Sequence, residues 1–122
     1  MKTLKRIEYK IVLPGIGANS NRGALGWCNI SLIFAENKII LFDTGSNDDR
    51  EELLMAFEKI GIDIKDIDIV FISHLHYDHC CNIELFESAE IIVSRQELEY
   101  VLSYEYKKYS DPYVPLAIVK YF

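Results

Sequence analysis

The sequence predicts a layered α/β fold. Two segments with helical periodicity and capping residues, 46–61 and 94–108, alternate with short apolar runs of strand length. A histidine-rich stretch, residues 73–81, directly follows one of these runs. Ligand sites in open α/β sheets collect at the carboxyl ends of strands. We therefore expect one domain, residues 1–122, with a site at one edge of its sheet.

The N-terminal third is predicted to form a strand, a loop and a hairpin. Apolar Ile7, Tyr9, Ile11 and Leu13 alternate with other residues, a period of two that indicates a strand with one buried face. Residues 15–28 are dense in Gly, Asn and Ser and are predicted to form a loop. Two apolar runs, 30–34 and 39–42, are separated by polar residues and indicate a hairpin.

The clearest helix signal covers residues 47–60. Asn47 or Asp48 is the expected N-cap, acidic residues occupy the first turn, Lys59 lies in the last turn, and Gly61 follows. The apolar residues on one predicted face are Leu53, Leu54, Phe57 and Ile60. This face should pack against the sheet.

Two further strands and a second helix complete the predicted order. Residues 66–73 form an apolar run that is typical of a strand covered on both faces. Residues 89–94 indicate another short buried strand. The second helix should begin at Ser94, with Glu97 completing a capping box.

Composition and charge exclude several classes of partner. The 13 Lys and Arg residues and 19 Asp and Glu residues give a net charge of −6, without any basic stripe. This argues against nucleic acid and anionic membranes. We find neither a signal-peptide pattern nor an apolar stretch of about 20 residues, the length of a membrane span, and therefore expect a cytoplasmic protein. Cys28, Cys80 and Cys81 form an odd set, so reduced thiols are expected.

All three histidines lie within residues 74–79. His74, His76 and Asp78 are two residues apart, so their side chains share one side of an extended backbone. A turn or helix start at Asp78 would bring His79 to join them. Imidazole and carboxylate are ligands of Zn²⁺, and they also suit Fe²⁺ and Mn²⁺. Core histidines or a surface His–carboxylate pair are the structural alternatives, and the density of the cluster favours a metal-binding loop.

The spelling SHLHYDH resembles the HxHxDH signature of the metallo-β-lactamase superfamily. IILFDTG is similar to the strand and turn before the first helix of that family. ELFESAEIIVSRQELEYVL is similar to the segment after the motif in the lactonase-like branch, which includes the N-acyl homoserine lactonases. The resemblance implies the N-terminal half of the αββα fold, with a mixed sheet carrying helices on one face.

The resemblance also implies roles for individual residues. His74 and His76 would bind a first metal, Asp78 and His79 a second metal, and Asp43 would orient the histidine loop from behind. The implied cofactor is one or two Zn²⁺ ions, with Fe²⁺ or Mn²⁺ as alternatives. A metal-activated hydroxide would attack a small ester or lactone, and Asp78 would carry the proton to the leaving oxygen.

The chain departs from the family pattern after His79. Complete members supply a third histidine, a bridging aspartate and a final histidine from a later half, and this chain has no further histidine. We therefore expect a truncated domain: an interrupted gene product, an excised fragment, or a half-protein that pairs with itself or another chain. Its ligand set would be incomplete, so the isolated chain should bind metal weakly and show little or no activity.

The C-terminal segment favours a partner. Residues 104–122 contain five tyrosines and an apolar run at 114–119. This run is either a last strand on the chain's own core or a surface buried by a second subunit. An uncovered sheet face would mark an interface, so a homodimer is expected unless a missing C-terminal half covers it.

The cysteines and two further residues have structural alternatives. Cys80 or Cys81 could replace a missing metal ligand, but both are expected to be small buried residues at the start of a helix. Cys28 is expected to pack in a core or loop. Tyr77 should point away from the ligands and pack, and Asp43 could instead serve only a turn.

Two classes of function remain. The leading interpretation is a metal-dependent hydrolase acting on a small-molecule ester or lactone. The alternative is a non-catalytic module that binds metal or forms dimers. An electron-transfer role like that of the diiron relatives has no support, because the carboxylates and the flavin partner are missing.

Overall fold

A computed structural model of the chain describes residues 6–103 and 113–122 and confirms the α/β fold class. The strands are β1 (Glu8–Leu13), β2 (Ile16–Ser20), β3 (Gly23–Trp27), β4 (Ile30–Ala35), β5 (Lys38–Phe42), β6 (Ile69–Ile72) and β7 (Glu90–Val93). The helices are α1 (Arg50–Ile60), α2 (Tyr77–Cys80) and α3 (Arg95–Leu102). Among the described residues, none of these helices is long and apolar enough to cross a membrane.

The main sheet is mixed and has five strands in the order β1-β4-β5-β6-β7. Strands β1, β4 and β5 pair antiparallel, whereas β5, β6 and β7 pair parallel. Helix α1 lies in the crossover between β5 and β6. The carboxyl ends of three neighbouring strands therefore meet at one edge of the sheet.

The predicted β4–β5 hairpin is confirmed. Its turn residues, Glu36 and Asn37, have φ angles of 50° and 64°. A two-residue turn with positive φ at both positions matches the right-handed twist of the paired strands. Asn tolerates this conformation well, so the turn forms without the usual glycine.

Residues 15–28 do not form the predicted loop. They contain the separate hairpin of β2 and β3, in which Ile16 pairs with Trp27 and Ser20 pairs with Gly23. The hairpin lies outside the main sheet, and the strand residues whose exposure is described are mostly exposed. Small and polar residues are compatible with pairing there, because no face has to be apolar. The prediction was wrong because it relied on composition.

Helix α1 begins later than its sequence indicated. A short 3-10 turn, Asn47–Asp49, precedes it, and Asp49 is the N-cap instead of Asn47 or Asp48. The Asp49 carboxylate accepts a hydrogen bond of 3.0 Å from the backbone N–H of Ser46, which fixes the preceding turn. Gly61 ends the helix with a φ of 82°, as the sequence predicted.

The core lies between the helices and one face of the sheet. Leu32, Leu41 and Val70 are in register on neighbouring strands and are fully buried. Leu53 and Phe57 of α1 are buried in the same cluster. Val101 of α3 joins it too. The expected placement of helices on one face is confirmed.

The opposite face of the sheet is apolar and uncovered within the described residues. It contains two rows in register: Tyr9, Ile33, Ile40, Ile69 and Glu90, and then Ile11, Ser31, Phe42, Phe71 and Ile92. The exposed fractions of Tyr9 and Phe71 are 75% and 37%. We call this surface the bare sheet face. The predicted burial of one face of the first strand, and of both faces of the strand at 66–73, is therefore wrong for this chain.

The C-terminal apolar run packs on the chain's own core, but it is not a strand. Leu116–Tyr121 forms a 3-10 helix. Val114 and Ile118 are buried with the core residues. The preceding tyrosine-rich part, 104–112, and the predicted end of the second helix lie outside the described residues.

Gly45 and Gly61 provide a matched pair for testing the turn after β5. Both glycines have positive φ, 79° and 82°. A Cβ at Gly45 would lie 2.7 Å from the Asp49 carboxylate, whereas a Cβ at Gly61 has open space. We expect Gly61→Ala to lower the free energy of unfolding by about 1 kcal/mol and Gly45→Ala by about 3 kcal/mol. Denaturant unfolding measures both, and equal losses would contradict the crowding at Gly45.

Candidate metal centre

The candidate site forms where β5 and β6 end side by side. The chain continues from β5 into the turn 43–46 and from β6 into the histidine loop, residues 73–76. Asp43, the first residue after β5, links the two segments, because its backbone N–H donates a hydrogen bond to the Phe71 carbonyl of β6 at 2.9 Å. Parallel pairing of the strands therefore places a carboxylate beside the histidine loop.

The Asp43 carboxylate holds the histidine loop through three hydrogen bonds. It accepts from the backbone N–H of Ser73 at 2.8 Å and from the Ser73 hydroxyl at 2.7 Å. It also lies 2.7 Å from Nδ1 of His79. Asp43 is 2% exposed and has a φ of 62°, a conformation that non-glycine residues adopt rarely. The predicted orienting contact is present, so Asp43 does more than shape a turn.

A second set of bonds joins the turn after β5 to the residues after the histidines. The Thr44 backbone N–H and hydroxyl both donate to the carbonyl of His79, at 2.7 and 3.0 Å. The amide of Asn82, which is fully buried, donates to the carbonyls of Thr44 and Ser46 at 2.8 and 2.7 Å. These bonds satisfy buried backbone groups and fix helix α2 against the turn.

Helix α3 supports the same loop from the other side. The Ser94 hydroxyl caps the helix by accepting from the backbone N–H of Glu97 at 3.2 Å, which confirms the predicted N-cap but only one half of the predicted capping box. The Glu97 carboxylate accepts at 3.2 Å from the backbone N–H of Leu75, which lies between two of the histidines. Leu75 itself is fully buried. The histidine loop is thus held at its interior as well as at both ends.

Helix α2 brings His79 back to the other histidines. It begins at Tyr77, close to the predicted helix start at Asp78. The His74 ring lies 4.8 Å from the His76 ring and 4.0 Å from the His79 ring, between centroids. Donor atoms of His74, His76 and Asp78 all lie within 4.8 Å of one another. The sequence-predicted residues therefore converge.

The described residues contain a second group of potential metal ligands. Donor atoms of Cys28, Asp43 and His79 also lie within 4.8 Å of one another. Neither Cys80 nor Cys81 belongs to either group. The three thiols are free, as expected, and Cys28 and Cys80 are buried.

Burial and neighbouring charges shift the pKa values of His74 and His79 in opposite directions. Burial and the nearby His79 and His76 rings lower the pKa of His74 below 6.5. Burial alone would also lower the pKa of His79, but its hydrogen bond to Asp43 and the charges of Asp43 and Asp78 raise that pKa above 6.5. The lowered pKa of His74 favours the neutral imidazole, the form that binds a metal ion.

Burial and hydrogen bonds also shift the pKa values of the three cysteine thiols, and not all in the same direction. Burial and the charge of Asp43 raise the pKa of Cys28 to about 12. A hydrogen bond to Cys81, together with burial, raises the pKa of Cys80, and the same bond lowers the pKa of Cys81. Burial without a positive partner thus keeps the Cys28 thiol protonated.

The donor set fits a divalent metal ion. His74, His76 and Asp78 are half-buried and offer two imidazoles and a carboxylate, a set that Zn²⁺, Fe²⁺ and Mn²⁺ accept. Nδ1 of His79 is bonded to Asp43, while its Nε2 lies 3.5 Å from the Asp78 carboxylate. A carboxylate bonded to the far nitrogen of a ligand histidine is the usual orienting arrangement in metal sites.

Two adjoining grooves open beside these donors. One, of about 430 Å³, is lined by His76, Asp78 and residues of the β2–β3 hairpin. The other, of about 360 Å³, is lined by Ile16, Trp27 and Tyr77, among others. Tyr77 stacks against the Tyr113 ring at 6.3 Å, as its packing role predicted, but it also lines both grooves.

Several residues of the site were missed by sequence reasoning. They are Ser73, Thr44 and Asn82. The proximity of Cys28 to His79 was missed as well. Ser73 and Thr44 adjoin His74 and Asp43, so adjacency to the motif was a usable signal. Asn82 and Cys28 act through the fold, and the sequence carries no local signal for either.

Comparison with known sequences gives a consistent result. The sequence profile of the metallo-beta-lactamase superfamily matches residues 25–119. A protein of Methanocaldococcus jannaschii named a "probable metallo-hydrolase" is 32% identical over 73 residues, which cover 59% of this chain and 36% of that protein. The mouse (Mus musculus) "metallo-beta-lactamase domain-containing protein 1" is 37% identical over 89 residues, covering 69% of this chain and 34% of that protein. The chain spans about a third of these relatives.

Comparison with solved structures extends the similarity to nearly the whole chain. A candidate metallo-beta-lactamase from Thermotoga maritima superposes with a TM-score of 0.69 at 23% identity, covering 96% of this chain and 53% of that one. A quorum-quenching N-acyl homoserine lactone lactonase gives a TM-score of 0.64 at 22% identity, covering 97% and 54%. At these identities the likeness concerns the fold, and the chain spans about half of each structure.

Replacing Asp43 should change how stability depends on pH. A raised folded-state pKa of His79 stabilises the fold fully below the unfolded value of 6.5, and this stabilisation is lost as the pH rises through the folded value. We expect Asp43→Asn to lower the His79 pKa and to cost about 3 kcal/mol at mildly acidic pH, with a smaller cost at alkaline pH. NMR titration of the metal-free protein and denaturant unfolding measure these effects.

Asp68→Asn is the matched control for this change. The Asp68 carboxylate also accepts a backbone hydrogen bond, from Ile39 at 2.8 Å, but it does not contact the histidines. It should lower stability without moving the His79 titration. An unchanged His79 pKa in Asp43→Asn would contradict the assigned ion pair.

Proposed function

Because this chain belongs to the metallo-beta-lactamase superfamily, we propose that it carries the metal-binding half-site of a metal-dependent hydrolase. The proposed substrates are small esters or lactones, and the proposed metal is Zn²⁺, with Fe²⁺ or Mn²⁺ as alternatives. The proposed ligands are His74, His76, Asp78 and His79.

One observation carries this proposal: three donors converge beside an open groove that His76 and Asp78 line, and a carboxylate orients the fourth donor. His74, His76 and Asp78 lie within 4.8 Å of one another, and His79 is held by Asp43 at 2.7 Å. Because the fold already holds these donors in place, they need little rearrangement when a positively charged metal ion binds. A merely structural cluster of histidines has no need for an open groove beside it.

The chain's own residues have separable tasks in the proposed reaction. When bound, the metal lowers the pKa of water to about 7 and polarises the attacked carbonyl group. Asp43 keeps the His79 ring in one orientation. Asp78 borders the groove and is the proposed carrier of the proton to the leaving oxygen. Neutral His74 is available as a ligand without first losing a proton.

The grooves support a small substrate with an apolar substituent. Their volumes, about 430 and 360 Å³, are in the range of small-molecule sites. Ile16 and Trp27 line the second groove, away from the proposed metal ligands, and are largely exposed. An acyl chain or aromatic group beside the ester or lactone would cover these side chains. The fold likeness to a lactonase is compatible with this proposal.

The alternative is a module that binds metal without catalysis. It is favoured by the sequence itself, in which all three histidines belong to this one loop. Catalytic zinc sites use three protein ligands for one ion, so two complete sites would need ligands beyond the four proposed here. Additional ligands would then come from other polypeptide segments.

Metal binding and turnover should be measured on the same preparation. We expect protein purified without chelator to bind Zn²⁺ weakly at His74, His76 and Asp78, and to hydrolyse lactones or aryl esters slowly when Zn²⁺ or Mn²⁺ is in excess. His76→Ala should weaken metal binding at least tenfold and remove the metal-dependent turnover. Elemental analysis, metal titration and a hydrolysis assay provide the readouts.

Ser31→Ala is a suitable control, because Ser31 lies on the bare sheet face, away from the proposed ligands. It should retain both metal binding and turnover. Metal occupancy without turnover on any ester or lactone would support the non-catalytic module instead. Failure to bind metal at all would contradict both interpretations of the histidine loop.

We further propose that a second copy of this chain covers the bare sheet face. Five strands spaced about 4.8 Å apart make this surface about 24 Å wide, and a contiguous apolar surface that its own chain leaves uncovered is typical of an interaction site. The net charge of −6 opposes self-association elsewhere, but the charged strand residues on this face, Lys38 and Glu90, are opposite in sign. Two identical apolar faces would pack in a C2 dimer.

A charge placed in the centre of this face should prevent the dimer. We expect light scattering to give a dimer mass for the wild type and a monomer mass for Phe71→Lys, because the ammonium group would be buried without a partner. Met55→Lys is the control, since Met55 is 62% exposed on α1, and it should remain dimeric. A monomeric wild type would contradict the dimer and leave the face for another polypeptide.

A further inference from the structure

Glu97 reaches from helix α3 to the middle of the histidine loop. Its carboxylate accepts a hydrogen bond of 3.2 Å from the backbone N–H of Leu75, although the two residues are 22 positions apart in the chain. Leu75 is fully buried and lies between His74 and His76. A buried backbone N–H group is costly without a partner, and Glu97 provides the acceptor here.

This bond replaces a local one that the sequence favours. In a capping box, a Glu at the third position of a helix reaches back to the backbone N–H of the N-cap residue. Ser94 makes its half of such a box by accepting from the backbone N–H of Glu97, but the Glu97 carboxylate is turned to Leu75 instead. The Glu97 side chain therefore stabilises the histidine loop and not the start of its own helix.

From Ser73 to Tyr77, every second backbone N–H donates to a partner outside the loop. The acceptors for Ser73, Leu75 and Tyr77 are the Asp43 carboxylate at 2.8 Å, the Glu97 carboxylate at 3.2 Å and the Tyr113 carbonyl at 2.8 Å. In an extended chain, alternate N–H groups point the same way and the side chains between them share one face. The side chains between these three bonds are those of His74 and His76.

We propose that Glu97 is a positioning residue, which sets the placement of the His74 and His76 rings relative to each other. The two ring centroids lie 4.8 Å apart. Leu75 joins them, and it is held by the core at its side chain and by Glu97 at its backbone. Among the described residues, Glu97 belongs to neither group of potential metal ligands. The inference rests on the proposed metal-binding half-site, two of whose ligands Glu97 would hold.

Loss of this carboxylate should act on His74 and His76 more than on His79. The His79 ring is held separately, by Asp43 at 2.7 Å. Without an acceptor for the Leu75 N–H, the peptide groups on either side of Leu75 can rotate, and the two rings then converge less well. Residues that orient metal ligands without touching the metal typically contribute about 10–100-fold to metal affinity.

Three substitutions of Glu97 separate the reach of the side chain from its charge. Glu97→Gln keeps the length and an acceptor oxygen without the charge, Glu97→Asp keeps the charge on a shorter side chain, and Glu97→Ala removes both. We expect zinc affinity close to that of the wild type in Glu97→Gln, and a loss of at least about tenfold in Glu97→Asp and Glu97→Ala. Normal affinity in all three variants, or a loss in Glu97→Gln that Glu97→Asp escapes, would overturn the proposal.

Ser94→Ala and Glu99→Ala are matched controls on the same helix. Ser94→Ala removes the helix cap but leaves the Glu97 carboxylate in place, and Glu99 is exposed. We expect Ser94→Ala to lower stability and neither control to change the zinc affinity. An equal loss of affinity in Ser94→Ala and Glu97→Ala would reduce the role of Glu97 to helix stability and would also overturn the proposal.

Hydrogen exchange of the metal-free protein, followed by NMR, tests the same bond without zinc. Glu97→Ala should speed exchange of the Leu75 amide by at least about tenfold relative to that of Leu41 in the core, because a bond to a charged acceptor is lost, and Glu97→Gln should restore it. Equal acceleration at Leu75 and Leu41 would contradict the proposal. A wild type that binds no zinc refutes the proposed function, whereas the exchange of Leu75 still decides whether Glu97 holds the loop.

Discussion

The Asp43 carboxylate is the interaction on which the metal centre depends. It is 2% exposed and bonds the backbone and hydroxyl of Ser73 and the ring of His79. These partners lie on the two sides of the histidine loop, so one side chain sets the direction in which the loop leaves β6. A buried carboxylate is costly unless every lone pair is used, and here the folded chain supplies the donors.

The positive φ of Asp43 follows from the same constraint. The left-handed conformation turns the chain sharply after β5, so the side chain reaches His79 while the backbone N–H bonds Phe71. Gly45 continues the turn with another positive φ. Strain of this kind persists only where surrounding bonds over-determine it, and the bonds from Thr44 and Asn82 to neighbouring carbonyls do so.

Local patterns made the helix ends, the main-sheet hairpin and the histidine loop predictable. Helix caps, apolar periodicity and the dense histidine loop each involve neighbouring residues, so Ser94, Gly61 and the convergence of His74 and His76 followed from the sequence. The β2–β3 hairpin did not, because its pairing leaves no apolar alternation. The exposure of Tyr9 and the approach of Cys28 to His79 depend on which elements cover which faces, and that information is non-local.

The two groups of potential metal ligands differ in how far apart their members lie along the chain. His74, His76 and Asp78 occupy one short stretch, so an unfolded chain presents the same three ligands in series. Cys28, Asp43 and His79 come together only after β5 and β6 have paired. An ion that binds both folded and unfolded chains stabilises the fold little, whereas an ion bound only by the folded chain adds its full binding energy. An ion bound by His74, His76 and Asp78 is therefore poorly placed to drive folding.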